Sequence, residues 1–135
     1  MADENKHKHL ELIQGVINRL STNSFLLKGW SVVLVSALFA LSAPNSQVAF
    51  VYLAYIPAIV FWGLDGFFLW QEKLFRKLYD QVRSLSEEDI DFSMDTSNIK
   101  GDDRPTWVGA TLSKTLIPFH GVLIFAVIVV MVLSR

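Results

Sequence analysis

The chain has 135 residues and a mass of 15.3 kDa, with 52% hydrophobic residues, 19% charged residues and a mean hydropathy of +0.38. A soluble domain of this length is normally more polar, so the composition predicts a membrane protein. The net charge of −1 gives no basic excess for binding nucleic acid. The lack of cysteine excludes disulfides, thiolate metal sites and thiol nucleophiles.

Two long stretches of the chain, 29–64 and 115–134, carry no Asp, Glu, Lys or Arg. A helix needs about 20 apolar residues to cross a hydrocarbon layer of about 30 Å, so the first stretch can cross twice and the second once. The turn-forming residues 44–47 separate the first two crossings. We therefore expect an all-α membrane protein with three transmembrane helices, a helical hairpin at 25–70 and a third span at 116–135.

The segment 1–24 has the pattern of an amphipathic helix, which either lies in the headgroup plane or packs against another helix on the same side. Its apolar residues recur every three or four positions: they are Leu10, Ile13, Val16, Ile17 and Leu20. The polar residues 21–24 offer helix caps, so we expect this helix to end there and the first span to start afresh. A cleaved signal peptide is disfavoured, because its basic segment would be much shorter than this mixed-charge one.

The segment 71–115 is expected to be cytoplasmic and to divide into two parts of opposite charge. Residues 71–83 continue the second span as a helix with a net charge of +2, which can meet lipid phosphates. Residues 84–103 carry a net charge of −6, and Ser86 there predicts the cap of a short helix. The candidate contacts with lipid or with a protein partner are Arg76, Lys77, Glu87, Glu88 and Asp89.

Three prolines predict features of the helices. An acidic cap at 102–103 followed by Pro105 predicts the start of a helix that continues into the third span. Pro118 would then kink that helix at the membrane surface, and Pro57 marks a point where the second span can bend.

The oxygen-bearing side chains that alternate along residues 89–95 resemble the spacing of an EF-hand calcium loop. Met94 occupies the position of the turn glycine and Lys100 that of the bidentate glutamate, so the match fails. His7 and His9 are an equally weak indication of a metal, because imidazoles on a chain terminus are usually solvated. We expect neither a metal nor a cofactor.

Asp65 is the residue of the spans that most needs a partner, since a carboxylate inside a span costs about 2.5–3.5 kcal/mol on insertion scales. At 1.5 Å per residue, Lys28 and His120 lie at a similar depth, so either can contact it. The cluster can act as a clamp that fixes helix register or as a proton-responsive or gating group, while a snorkelling Asp65 would have no partner. Three glycines can let the backbones approach around it: Gly63, Gly66 and Gly121.

The sequence gives no set of residues for an enzyme, because it has neither a phosphate-binding glycine loop nor a plausible Ser, His and Asp arrangement. Lys and Arg are concentrated in the first 28 residues and in 71–115 and are absent from 44–47. This asymmetry predicts a cytoplasmic N-terminus and a C-terminus outside.

Five runs of sequence distributed over most of the chain carry a resemblance: 9–19, 23–30, 61–65, 91–94 and 113–116. They look like those of a group of small, uncharacterised bacterial inner-membrane proteins. The resemblance implies a bacterial origin and this topology, and it implies no activity or functional residue. The layout of a few spans with a small cytoplasmic segment is also similar to that of short membrane effectors in bacterial antiphage systems.

The sequence therefore leads to two functional hypotheses. The first is a non-enzymatic membrane-perturbing or pore-forming effector that works as a homo-oligomer in the lipid bilayer and is triggered through its cytoplasmic segment. The alternative is a membrane anchor or accessory subunit that binds a larger cytoplasmic or membrane protein. A transporter is less favoured, because no internal repeat is visible.

The topology can be tested with single cysteines, since the chain has none of its own. In intact cells, Ser46→Cys is expected to react with a membrane-impermeant thiol reagent, while Ser93→Cys reacts only after permeabilisation. The opposite pattern of labelling would reverse the orientation.

Overall fold

A computed structural model describes residues 3–43, 48–99 and 104–134. These residues form helices, turns and loops, with no strand in the described ranges. The helices are α1 (Glu4–Ser42), α2 (Val48–Leu53), α3 (Tyr55–Arg83), α4 (Trp107–Thr111) and α5 (Ile117–Leu133), and a 3-10 turn covers Glu87–Asp89. The predicted all-α class is confirmed. The turn at 44–47 lies outside the described residues.

Two helical stretches are long and apolar enough to cross a membrane: α1, and α2 together with α3. Only 11% and 22% of the residues in their apolar windows are buried within the protein. The core helix of a soluble protein would be mostly buried, so this exposure is consistent with apolar surface that meets lipid. The remaining apolar helix, α5, has 17 residues and is shorter.

The first helix does not end at residues 21–24 as expected, because α1 is continuous over 39 residues. Ser24 does not cap a new helix; its hydroxyl donates to the carboxylate of Asp65 on α3. Since α1 packs along α3 both before and after this point, packing makes the continuous helix favourable despite the polar residues.

The second long apolar stretch, Val48–Arg83, is interrupted at Ala54, between α2 and α3. Pro57 follows one turn later and has no amide hydrogen to donate to the carbonyl of Leu53. The interruption therefore lies where the sequence predicts a bend. Beyond it, α3 runs on to Arg83, which confirms the predicted continuation of this helix past Trp70.

α1 and α3 lie antiparallel, and α5 packs beside both. At the end farthest from the N-terminus, Val35 of α1 and Val127 of α5 enclose two fully buried small residues, Ala54 and Ala58. These two alanines let the three helices approach closely. The hydroxyl of Tyr55 donates to the sulfur of Met131 at 3.4 Å in the same region.

The opposite end of the helix pair forms a small packed unit, which we call the head: residues 4–20 of α1, 71–83 of α3 and the segment 84–99. Its core contains the fully buried Ile13 and Ile17 of α1 against Leu74 and Leu78 of α3, and Ile99 of the segment covers them. The amphipathic face of α1 is therefore buried against another helix, which is the second of the two expected arrangements.

The chain between α3 and α5 differs from the expectation of one long helix. Residues 104–106 are not helical, and α4 begins only at Trp107, where the hydroxyl of Thr106 accepts a bond from the amide of Gly109 at 3.0 Å. The predicted cap at 102–103 lies outside the described residues. Pro118 is in the first turn of α5, so it starts that helix and does not kink it.

Of the three glycines expected to permit close packing, only Gly66 does so. A Cβ built on Gly66 would lie 2.0 Å from the hydroxyl oxygen of Thr111 and 3.0 Å from its Cα. A Cβ on Gly63 or Gly121 would meet no atom of another helix within 4 Å in the described structure. Gly66 therefore sets the distance at which α4 packs on α3.

Gly66→Ala is expected to lower the free energy of unfolding by about 1–3 kcal/mol, because the added methyl group forces α4 away from α3. Gly63→Ala is the matched control on the same helix, where the better helix propensity of alanine is expected to stabilise by about 0.5–1 kcal/mol. Thermal unfolding of both variants in detergent checks this. Equal midpoints would contradict the close approach at Gly66.

Candidate functional site

The described structure brings Lys28, Asp65 and His120 together in one polar cluster. One oxygen of the Asp65 carboxylate, Oδ2, lies 2.6 Å from the ammonium of Lys28 and 2.7 Å from Nε2 of His120. The other oxygen, Oδ1, accepts a hydrogen bond from the hydroxyl of Ser24, and Lys28 also donates to that hydroxyl at 2.9 Å. Asp65 therefore has partners from α1 and from α5 at the same time.

Local structure explains how each side chain reaches Asp65. Ser24 and Lys28 are four residues apart and so share one face of α1. His120 stands one turn after the start of α5, where its amide donates to the carbonyl of Leu116 at 3.0 Å. Sequence reasoning identified the three ionisable residues but missed Ser24, which can be recognised by its four-residue spacing from Lys28.

The cluster lies near the head end of the apolar helices. Counting along α1 and α5, it is about 20 Å from their far ends at Ser42 and Leu133. A hydrocarbon layer of about 30 Å that ends there would place the cluster about 10 Å below its other boundary. An ion pair at that depth needs the protein to replace its hydration.

Asp65 and His120 are both fully buried, whereas the side chain of Lys28 is 23% exposed. Nε2 of His120 faces the carboxylate, and its Nδ1 has no hydrogen-bond partner in the described structure. A neutral ring with its proton on Nε2 leaves only an acceptor unpaired, which costs less than an unpaired N–H of a cation. The ammonium of Lys28 and the carboxylate of Asp65 then form an ion pair with no net charge, and the Nε2–H of the neutral His120 ring donates to that carboxylate.

Aromatic side chains cover the cluster on the α4 side. The indole of Trp62 stacks on the His120 ring at a centroid distance of 5.8 Å and donates to the carbonyl of Thr111 at 2.8 Å. Trp70 and Trp107 also stack on each other, at 6.2 Å. The ring of Trp62 thus packs between α4 and α5.

The predicted contact residues of the head make different internal contacts. Glu87 accepts bonds from the backbone amides of Asn5 and Lys6 at 2.9 and 3.0 Å, so it caps the N-terminus of α1. Asp89 accepts from the hydroxyl of Ser86 at 2.8 Å. The short helix expected here is the 3-10 turn.

Of the remaining three candidates, Arg76 and Glu88 are exposed and Lys77 is half-buried. Arg76 pairs with Glu72 at 3.6 Å on the same helix and is 58% exposed. Lys77 is on the same part of α3, and Glu88 is exposed in the 3-10 turn. A role of these residues in binding lipid or a partner stays a prediction.

The alternating spacing in 89–95 has a structural explanation other than calcium binding. The side chains of Asp91, Ser93 and Asp95 each accept a bond from the backbone amide two residues later, at 2.9–3.2 Å. Such Asx and serine turns satisfy the backbone of an irregular loop. The amide of Ser97 also lowers the pKa of Asp95 by stabilising its carboxylate.

His9 contradicts the expectation of a solvated terminal imidazole, because it is fully buried. Its Nε2 lies 2.8 Å from the carbonyl of Ser93, and its ring lies 5.6 Å from that of Phe92. Phe92 has a φ of 56°, which turns the loop back over α1. His9 therefore fastens the loop to the head. No group of three metal-ligating side chains occurs in the described ranges.

Comparison with known protein families, with curated proteins and with solved structures finds no match to this chain.

Asp65→Asn is expected to destabilise the protein by about 3 kcal/mol, because it leaves the ammonium of Lys28 without its counter-charge in an apolar region. The double variant Lys28→Met with Asp65→Asn removes both charges and is expected to recover more than half of the loss. The measurement is the thermal midpoint in detergent.

Asp80→Asn is the control for this experiment, since Asp80 forms an exposed pair with Arg83 on the same helix. Its loss is expected to cost at most about 1 kcal/mol. If Asp65→Asn were as mild as Asp80→Asn, the cluster would not hold the helices together.

Proposed function

We propose that the protein is a non-enzymatic component of a bacterial inner membrane that crosses the bilayer three times. α1 and the pair α2–α3 are long enough to span, and α5 is an apolar helix of 17 residues, which is at the lower limit of length for a span. The concentration of Lys and Arg in the head favours its location in the cytoplasm, with the C-terminus outside.

The activity we propose is that of a membrane-perturbing effector whose head receives a signal from the cytoplasm. One observation carries this proposal: α1 and α3 both run without interruption from the head core to the buried cluster. A change in how these helices pack in the head is therefore transmitted to Asp65. Since Asp65 also bonds to α5, the same change alters how the third helix is held.

The proposal requires several copies of the chain, because three helices by themselves cannot enclose a wide water path. Large apolar side chains cover the outer faces of the bundle and are available to lipid or to another copy. Strongly exposed examples are Phe25, Trp30, Val122, Phe125 and Leu133.

An anchor or accessory subunit is the second candidate function. It is favoured by the acidic side of the head loop, where Glu88, Asp91 and Asp95 are exposed. Such a surface suits a partner with a basic patch. Against it, the amphipathic face of α1 is already buried in the head core and is not free for a partner.

Overexpression of the chain in a bacterium is expected to make the inner membrane permeable to a small impermeant dye. Asp65→Asn is expected to abolish the dye uptake at an equal protein level, while Glu88→Gln keeps it. The double variant Lys28→Met with Asp65→Asn separates loss of folding from loss of response: it is expected to be more stable than Asp65→Asn and still inactive.

A membrane that stays impermeable to the dye with the unaltered chain would refute the effector. The anchor is then tested by purification from the same cells. A protein that co-purifies with the unaltered chain and is lost with Glu88→Lys would establish the second function, because this change reverses a charge at an exposed position of the described structure.

A further inference from the structure

A cleft of about 280 Å³ opens on the protein surface next to the buried cluster. Its wall on α1 contains Ser21, Ser24 and Lys28, and its wall on α3 contains Phe68 and Glu72. Ser24 and Lys28 are the two residues of α1 that bond to Asp65. The inner end of the cleft is therefore formed by the cluster itself.

The polar lining of the cleft runs from the cluster towards the head. Glu72 lies seven residues beyond Asp65 on α3, about 10 Å along the helix axis, and Ser21 lies about one turn from Ser24 in the same direction. Thr115, just before α5, adds a further hydroxyl to the lining. Apolar residues alone would exclude water, but these hydroxyl and charged groups offer it hydrogen-bond partners. The rest of the lining is apolar and consists of Phe68, Leu20, Phe25 and Leu69.

The space and the exposure are those of a hydrated cavity. A water molecule in the liquid occupies about 30 Å³, so the cleft has room for several. The side chain of Lys28 is 23% exposed and that of Glu72 is 13% exposed, whereas Asp65 and His120 are fully buried. On the far side of Asp65, Trp62 covers the ring of His120. The cleft is thus open as far as Lys28 and Ser24 and closed beyond them.

We propose that this cleft is an aqueous vestibule, open on the side of the head, through which the cluster exchanges protons with the solution on that side alone. Two ionisable side chains line the cleft, Lys28 of α1 and Glu72 of α3. Two more are buried next to it: Asp65 of α3, which contacts Lys28, and His120 of α5, which contacts Asp65. Arg76 partly balances the charge of Glu72 at the mouth. The vestibule does not depend on the proposed effector activity, since an anchor can contain it too.

Thiol accessibility tests the vestibule in the full chain, which has no cysteine of its own. Ser24→Cys places a thiol at the inner end of the cleft. Leu26→Cys is its matched control, since Leu26 is 49% exposed, does not line the cleft and lies about 3 Å further along α1. Phe68→Cys and Leu64→Cys form a second pair on α3, in case replacement of Ser24 disturbs the cluster.

The probe is a charged, membrane-impermeant methanethiosulfonate added to membrane vesicles of known orientation. When the head faces outward, Ser24→Cys and Phe68→Cys are expected to react at least about tenfold faster than their controls. The reagent attacks the thiolate, and a thiol in water near the ammonium of Lys28 ionises whereas a thiol in hydrocarbon does not. With the head facing inward, the same two thiols are expected to be protected.

Two results would overturn the proposal. If the two cleft thiols reacted as slowly as the lipid-facing controls, the cleft would be closed to water. If they reacted equally fast in vesicles of both orientations, the cluster would be accessible from both sides and would not exchange protons on one side alone. Dye uptake by the same variants is a separate measurement, so failure of the effector proposal would be seen independently.

Discussion

The carboxylate of Asp65 accepts hydrogen bonds from two helices at once, and this sets how the apolar part of the bundle is assembled. A charge in an apolar region must recover from protein groups the free energy that water would have given it. Ser24, Lys28 and His120 provide these bonds only when α1, α3 and α5 are in one register. The same requirement that makes the cluster costly to bury therefore specifies a single arrangement of the helices.

The short α4 and the non-helical chain before it raise a related problem, because backbone carbonyls in an apolar region need donors from the protein. The indoles of Trp62 and Trp70 donate to the carbonyls of Thr111 and Pro105, at 2.8 and 2.9 Å. Trp107 donates in the opposite direction, to the carbonyl of Gly63 at 3.0 Å. The tryptophans thus fasten this segment to α3, and Trp62 also covers the cluster.

The head is built so that its irregular loop depends on α1. Glu87 caps the first turn of α1, His9 bonds to the carbonyl of Ser93, and Ile99 fills the core. A molecule that displaced this loop would uncap α1 and expose its apolar face. Because α1 continues to Ser24 and Lys28 as one helix, the buried cluster lies on the same rigid element as these contacts.

The sequence alone determined the helical class and the positions of the long apolar helices, because helix periodicity and the length needed to cross hydrocarbon are local properties. It also pointed to Lys28, Asp65 and His120, since the cost of an unpaired charge in a span depends on residue type and depth alone. It did not determine that α1 continues through 21–24, that His9 is buried or that the side chains of 91–97 bind their own loop. These depend on which surfaces face each other, and only tertiary packing decides whether a polar side chain meets water, a neighbouring helix or its own backbone.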